Sequence, residues 1–232
     1  MSWNKGFTKN THPSIMKTSL TMKSKGMDNF KKWREKMRTL GKIPNVSIAF
    51  SPSKDLAEYI GVVLGDGNIG KFPRTERLII VSNSNNQYFI NRYSFITEKL
   101  FNKKPTISKI NGHNAVRISI YQNSISQRLE IPTGNRNGIY IKIPEWIWKE
   151  KEYMISLLKG FFEAEGSLSI HLPTCTYNFQ FKNNNSHLLN AVEEGLKILG
   201  YRPEVRKNAI RLRKKKEVEA FRHLIDFRGS NT

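Results

Sequence analysis

The chain has 232 residues, of which 38% are hydrophobic and 25% are charged, so it is long enough to bury a core and is not a disordered chain. Its 39 Lys and Arg residues against 19 Asp and Glu residues give a formal net charge of +20, which favours nucleic acid as the partner. No apolar run approaches the roughly 18–20 residues that span a bilayer, and the single cysteine, Cys175, excludes an internal disulfide and a multi-cysteine zinc site.

The first 50 residues form a basic extension that we expect to lie on a partner or on the next domain. They hold eleven Lys and Arg residues against Asp28 and Glu35, with too few apolar residues to form a core. The stretches 18–26 and 28–37 predict short basic helices, and the sequence Gly-Lys-Ile-Pro at 41–44 ends this pattern. A disordered basic tail is the alternative interpretation.

From residue 51 the chain contains a duplicated pattern. Segment 59–67 matches 158–166 at an offset of 99, segment 82–90 matches 182–190 at an offset of 100, and segment 114–118 matches 208–212 at an offset of 94. Three matches in the same order at a nearly constant offset indicate two repeats. We assign residues 51–130 to the first repeat, 131–150 to a linker and 151–232 to the second repeat.

Each repeat predicts the same order of elements: a helix, two strands, a helix, two strands and a final helix. The first helices cover about 54–65 and 151–164, and the middle helices cover about 85–101 and 186–199. Apolar and polar residues alternate in the strands, as where Asn178 separates Tyr177 from Phe179. One face of each sheet is therefore apolar and covered by helices, while the other is polar and open. The predicted fold class is α+β, a pseudo-twofold pair of αββαββα repeats.

The two first helices can pack against each other very closely. Each carries small residues four apart, namely Gly61 and Gly65 in one helix and Gly160 and Ala164 in the other. This spacing puts the small residues on one face, where a second helix can approach with its backbone nearly in contact. The C-terminal ends of the two helices then lie side by side, and those ends carry Asp66 and Glu165.

Two carboxylates in this place repel each other and are disfavoured by both helix dipoles. Divalent cations would turn this unfavourable electrostatic energy into a favourable one, since hard cations take carboxylate and backbone carbonyl oxygens as ligands. Mg²⁺ also accepts water and phosphate. A basic groove would deliver phosphate to such a site. The pair of acids therefore suits metal-dependent phosphodiester hydrolysis. A single Gly-Asp-Gly is most often only a turn, and the second copy favours the catalytic interpretation.

The segments 60–67 (Ile-Gly-Val-Val-Leu-Gly-Asp-Gly) and 159–166 (Lys-Gly-Phe-Phe-Glu-Ala-Glu-Gly) resemble the two signature helices of the LAGLIDADG homing endonucleases in their single-chain form. The resemblance spans about residues 53–228. It implies a saddle of two antiparallel sheets in the DNA major groove and double-strand cleavage across the minor groove, leaving short 3′ overhangs. It implies Asp66 and Glu165 as the catalytic acids and gives no such role to Glu163. Residues 5–26 are similar to small modular DNA-binding motifs appended to homing nucleases.

The resemblance also implies a metal site. Two or three divalent cations, expected as Mg²⁺, would be shared between Asp66 and Glu165, with Gly65 and Ala164 as further ligands. A basic residue from the end of the last strand is expected as Lys216, with a solvated phosphate-contacting role as the alternative. Base reading would use polar residues of the open sheet faces, with unspecific phosphate contact as the alternative; the candidates are Arg117, Ser119, Gln180, Lys182, Arg211 and Arg213.

The leading interpretation is an intron-encoded, site-specific endonuclease that acts as a monomer on double-stranded DNA. We expect it in a reducing compartment, the cytoplasm at the nucleoid or an organelle, with no membrane partner. An intron RNA maturase or a non-cleaving regulator on the same scaffold is the alternative. A ribosomal protein would explain the charge but not the duplicated acid-bearing helices.

Overall fold

The computed structural model describes residues 5–28, 30–40, 49–136 and 138–229. The chain divides into two compact units, Met1–Asn45 and Val46–Thr232. Among the described residues, no helix is both long and apolar enough to cross a membrane.

The first unit contains two short helices, α1 (Pro13–Ser24) and α2 (Lys31–Thr39). Helix α1 begins five residues before the predicted start at Thr18, because proline at the first helical position presets the backbone and loses no internal hydrogen bond. Within 5–28 and 30–40 no residue whose burial is described is buried. This exposure agrees with the prediction that the segment has too few apolar residues to form a core of its own. The predicted stop at 41–44 lies outside the described residues.

The second unit contains the two repeats. In the first repeat the elements are α3 (Lys54–Gly65), β1 (Gly67–Phe72), β2 (Thr75–Asn83), α4 (Gln87–Phe101), β3 (Thr106–Lys109), β4 (Ala115–Gln122) and α5 (Ile125–Leu129). The linker carries one further helix, α6 (Glu145–Lys149). In the second repeat they are α7 (Lys151–Glu165), β5 (Gly166–His171), β6 (Thr176–Lys182), α8 (Ser186–Ile198), β7 (Glu204–Arg206), β8 (Ala209–Leu212) and α9 (Lys215–Leu224).

The two sheets have the same topology. Their strand orders are β1-β2-β4-β3 and β5-β6-β8-β7, and every pairing is antiparallel. The registers match as well, since Gly67 pairs with Ile80 in the first sheet and Gly166 pairs with Phe181 in the second. The structure therefore confirms the α+β fold, and the two halves repeat each other in element order and strand pairing.

Alternation in the strands places one face of each sheet on the helices. In β2 the side chains of Leu78 and Ile80 are buried, and in β6 those of Phe179 and Phe181 are buried. Phe162 of α7 contacts Phe179 and Phe221, with ring centroids 4.7 and 5.0 Å apart. Since the helices cover only one face, the opposite faces of both sheets remain open.

Helices α3 and α7 form the centre of the unit. All residues of α3 from Leu56 to Leu64 are buried, and the side chain of Ser53 caps the helix by accepting the Leu56 N–H at 3.2 Å. At the crossing, a Cβ on Gly61 would lie 2.9 Å from the Phe161 nitrogen, and a Cβ on Gly160 would overlap the carbonyl oxygen of Glu58. The backbones are thus in direct contact, as the spacing of the small residues predicts.

Candidate active site

The close packing of α3 and α7 brings the two predicted acids to one place. Asp66 is the residue that caps α3, and Glu165 is the last residue of α7. A Cβ on Gly65 would lie 2.6 Å from the Ala164 Cβ and 3.3 Å from the Glu165 Cγ. The ends of the two helices therefore touch, and each acid stands beside the end of the other helix.

The chain after each acid turns sharply into a strand. The first residues of those strands, Gly67 and Gly166, do not have positive φ angles. Their glycines are required by space: a Cβ on Gly67 would lie 2.6 Å from the Val63 Cα, and a Cβ on Gly166 would overlap the Phe162 carbonyl oxygen. These approaches fix the direction in which each strand leaves the acid.

Neither carboxyl group forms an ion pair within the part of the chain that the structure describes, and the pKa of both is raised. Although Asp66 reaches solvent, burial by the surrounding protein and then the charge of Glu165 raise the pKa of Asp66 to about 7. Burial also raises the pKa of Glu165. Charged groups that are held against repulsion in a cleft are a mark of functional sites, because a cation or a proton at that place is stabilised.

Two clefts flank the ends of α3 and α7; one contains Glu165 and the other contains Asp66. The Glu165 cleft has a volume of about 920 Å³ and is lined by Glu165 together with Gly65 of the other helix. The Asp66 cleft has a volume of about 420 Å³ and is lined by Asp66 together with Ala164 of the other helix. The crossed arrangement pairs each acid with a small residue of the opposite repeat.

The oxygen atoms available at the two clefts suit divalent cations that take only some of their ligands from the protein. Among the described residues no cluster of three or more His, Cys, Asp or Glu side chains could hold a metal. A cation in either cleft would therefore be held by one or two carboxylates, with backbone oxygens near Gly65 or Ala164, water and phosphate as the other ligands. Mg²⁺ accepts such a set, since it keeps several waters and uses one or two carboxylates.

Two residues beside the Glu165 cleft were not identified from the sequence. The Asn183 Nδ2 donates to the Glu165 Oε1 at 3.4 Å, and its Oδ1 accepts the Asn185 N–H at 2.8 Å. Arg136 donates from one guanidinium nitrogen to the carbonyl oxygens of Val63, at 2.8 Å, and of Gly67. The match of segments 82–90 and 182–190 contained Asn183 without assigning it a role. Arg136 lies in the predicted linker, where no pattern distinguished it.

Glu163 is a third carboxylate in this region. It lines the Asp66 cleft, only 3% of its surface is exposed, and its Oε1 accepts the Arg228 backbone N–H. Burial raises its pKa to about 7. Its burial and its bond to the backbone distinguish it from Asp66, which faces solvent.

Lys216 lies at the start of a helix and not at the end of a strand. The structure places it in the first turn of α9, where it is exposed and lines neither cleft. The chain becomes helical at Lys215, directly after the last strand, and this carries Lys216 away from the expected strand position. The basic residues that line the Glu165 cleft are Arg136, Lys182, Arg206 and Lys207.

The candidate base-reading residues of the first sheet differ in accessibility. Arg117 and Ser119 both lie on the open face, since they pair with Val81 and Ile79 of β2. Ser119 is only 8% exposed, and its hydroxyl donates to the Thr106 carbonyl oxygen at 3.3 Å.

In the second sheet, Lys182 is exposed, Gln180 is half-buried and Arg213 follows β8 in an exposed position. Arg211 forms two bonds to the carboxylate of Glu204, at 2.8 and 3.0 Å. Its guanidinium is therefore already paired, unlike a free base-reading arginine.

No protein-family profile and no curated protein matches the chain. Solved structures do match it. The homing endonuclease I-DmoI in complex with DNA and Mn is 18% identical at a TM-score of 0.51, over 74% of this chain and 96% of that one. An I-DmoI variant with its target DNA and Mg is 17% identical at a TM-score of 0.51, over 74% and 96%. The N-terminal LAGLIDADG domain of DUF199/WhiA is 16% identical at a TM-score of 0.52, over 77% and 86%.

These similarities show that the chain has the LAGLIDADG fold. The similar structures include the nuclease I-DmoI bound to DNA and the LAGLIDADG domain of DUF199/WhiA, so the same fold occurs in different proteins. The two acids and their clefts are therefore the features of this chain that bear on an activity.

Proposed function

We propose that this protein is a site-specific, metal-dependent endonuclease that cuts both strands of double-stranded DNA. The single observation that carries the proposal is the pairing of Asp66 and Glu165 at the touching ends of α3 and α7. Each acid stands in its own cleft, and burial raises the pKa of both. Two clefts, each with one of these two acids, suit two scissile phosphates, one in each strand.

The chain's own residues account for binding and orientation. The net charge of +20 attracts the duplex, and the open sheet faces present side chains to the major groove. Asp66 and Glu165 would hold divalent cations, and structures of I-DmoI were solved with DNA and Mn or in the presence of Mg. When bound, such cations activate water and stabilise the leaving oxygen. Asn183 orients the carboxylate of Glu165 through its hydrogen bond. The two cuts lie across the minor groove and leave short 3′ overhangs.

The presence of both repeats in a single chain supports a monomeric enzyme. Both acids belong to one chain, so a monomer carries a complete pair of sites. We propose that two or three cations are shared between the acids, and that the gene lies in an intron. The protein acts on the DNA of the nucleoid, in the cytoplasm or in an organelle. The basic first unit extends the DNA footprint, which suits its exposed helices and its excess of Lys and Arg.

The proposal is tested by a cleavage assay on a pooled library of duplex sites in Mg²⁺, Ca²⁺ or EDTA. We expect cutting in Mg²⁺ but not in EDTA, and its loss in both Asp66→Asn and Glu165→Gln. Glu98→Gln is the matched control, since Glu98 is an exposed acid of α4 outside both clefts. Tight binding of duplex DNA without cutting in any metal would refute the nuclease. A structured intron RNA would then be the next substrate, as the maturase alternative requires.

A further inference from the structure

The open faces of the two sheets carry different chemistry at equivalent positions. The matching registers make Ile79 of β2 equivalent to Gln180 of β6, and Val81 equivalent to Lys182. On the other side, the residues of β2 pair with β4 and those of β6 pair with β8. The pairs are Ile79 with Ser119, Val81 with Arg117, Gln180 with Arg211 and Lys182 with Ala209. Aliphatic side chains in the first sheet thus replace an amide and an ammonium group in the second.

The apolar character of the first face extends beyond these two positions. Val81 is 37% exposed, Phe72 is 41% exposed and Tyr121 is 47% exposed, although all three lie in strands of a sheet. The guanidinium of Arg77 lies 5.2 Å from the centre of the Phe72 ring and 5.9 Å from that of Tyr121. Arg77 is thus held between two rings, and the polar residues Asn68, Arg117 and Ser119 lie on the same face.

The second face is polar along both of its first strands. The open-face positions of β5 and β6 are Ser167, Ser169, His171, Thr176, Asn178, Gln180 and Lys182. The Asn178 Oδ1 is buried and accepts no hydrogen bond within the described residues. Such a face offers donors and acceptors along both strands, whereas the first face offers aliphatic groups at Ile79 and Val81, between polar neighbours.

In the major groove only one base edge carries an apolar group, the C5-methyl group of thymine. We propose that the first sheet recognises its half of the DNA site through thymine methyl groups that contact Ile79 and Val81. The second sheet reads its half through hydrogen bonds from Gln180, Lys182 and neighbouring polar residues. This inference rests on the proposed binding of duplex DNA, and it assigns different base preferences to the two half-sites.

The test begins with selection of duplexes from a random library by the full chain carrying Asp66→Asn, which leaves bound DNA intact. The selected site is then rebuilt with deoxyuridine in place of thymidine, which removes the C5-methyl group and keeps the base pair, in one half at a time. We expect the change to weaken binding in one half only, by about four-fold for each methyl contact, the equivalent of about 0.8 kcal/mol per buried methylene group. In the other half we expect affinities within two-fold.

Two variants assign the sensitive half to the first sheet. Val81→Ser removes the methyl groups of the side chain, so affinities for thymidine and deoxyuridine sites should become equal at one position. Val81→Thr keeps one methyl group and the branched β-carbon, and should retain a partial difference. Lys182→Ser, at the equivalent position of the second sheet, should weaken binding to the thymidine and deoxyuridine versions of the DNA site by the same factor. Melting temperatures of the variants show whether each one folds.

The outcomes separate this inference from the proposed function. A selected site without thymine in either half, equal effects of deoxyuridine in both halves, or an undiminished effect in folded Val81→Ser would overturn the inference while leaving DNA binding intact. Failure to select any duplex would refute the proposed function as well.

Discussion

Gly160 lies directly against the carbonyl oxygen of Glu58, with no room for a Cβ between the two helices. This contact sets the distance between α3 and α7, and through it the meeting of Asp66 and Glu165 at the helix ends. Glycine is needed here because of another backbone, since no positive φ is involved. The position of the two acids is therefore a consequence of helix packing.

Replacing Gly160 should lower stability measurably. Gly160→Ala puts a methyl group into the Glu58 carbonyl oxygen, and overpacking of a core typically costs about 1–3 kcal/mol. For a chain of this size each kcal/mol corresponds to a fall of about 2–4 °C in Tm. Gly70→Ala is the control, because its Cβ would meet the Phe72 ring at an ordinary 3.5 Å. Equal melting temperatures for Gly160→Ala and the unmodified chain would contradict the packing argument.

Stability in the absence of metal should fall as pH rises, in a way that depends on Asp66. Its pKa of about 7 in the folded chain exceeds the ordinary value of 3.8, so unfolding releases a proton between these values. The stability of the unmodified chain relative to Asp66→Asn should therefore decrease from about pH 4 to pH 7. Urea titrations in EDTA at pH 4.5, 6 and 8 measure the difference.

Added Mg²⁺ should counteract this loss. Protons and cations compete for the same carboxylates, so the increase in Tm caused by Mg²⁺ should be larger at pH 8 than at pH 5.5. The increase should be absent when both Asp66→Asn and Glu165→Gln are present and should persist in Glu98→Gln. A cation effect that is independent of pH, or of the two acids, would place the bound metal elsewhere.

Asn183 should act as a positioning residue for Glu165. Asn183→Ala removes the donor to the carboxylate, and we expect cleavage to slow by about 10- to 100-fold with little change in DNA affinity. Asn183→Asp keeps the acceptor for the Asn185 N–H but adds a negative charge, which should shift the pH–rate profile to higher pH. An unchanged profile in Asn183→Asp would show that this side chain is only structural.

Arg92 should matter for folding and not for chemistry. It forms a two-bond ion pair with Glu58, which is 3% exposed and also accepts the Tyr93 hydroxyl at 2.9 Å. Arg92→Ala leaves a buried carboxylate without its cationic partner and should cost about 3–5 kcal/mol. The double variant Arg92→Ala with Glu58→Gln should recover part of that loss, because it removes the unpaired charge. Chemical denaturation of the single and double variants checks this.

The first unit should contribute to DNA affinity and not to stability of the repeats. A chain that begins at Val46 retains the whole second unit and should melt at an unchanged temperature. Its DNA affinity should depend less steeply on salt, since each phosphate neutralised by Lys or Arg adds about 0.9 to the slope of log K against log salt. For the full chain, contact with about ten phosphates predicts a slope near −9. Equal slopes for both chains would mean that the extension does not touch the duplex.

The local patterns that predicted the elements are strong ones. The apolar run of α3 and the alternation in β6 depend on side-chain periodicity alone, and the structure confirms both elements within a residue or two. The duplication predicted the common topology of the two sheets before any contact was known. The start of α1 was missed, because Pro13 begins the helix ahead of its apolar residues.

The amino-acid sequence by itself determined the two repeats, their open sheet faces, the glycine contact between the first helices and the acids at their ends. These depend on residue type and short spacings, which are visible along the chain. Tertiary packing puts Asn183 and Arg136 at the Glu165 cleft, pairs Arg211 with Glu204 and leaves Lys216 in a helix outside both clefts. Those relationships join distant segments, or depend on where one strand ends and a helix begins, and no local pattern encodes them.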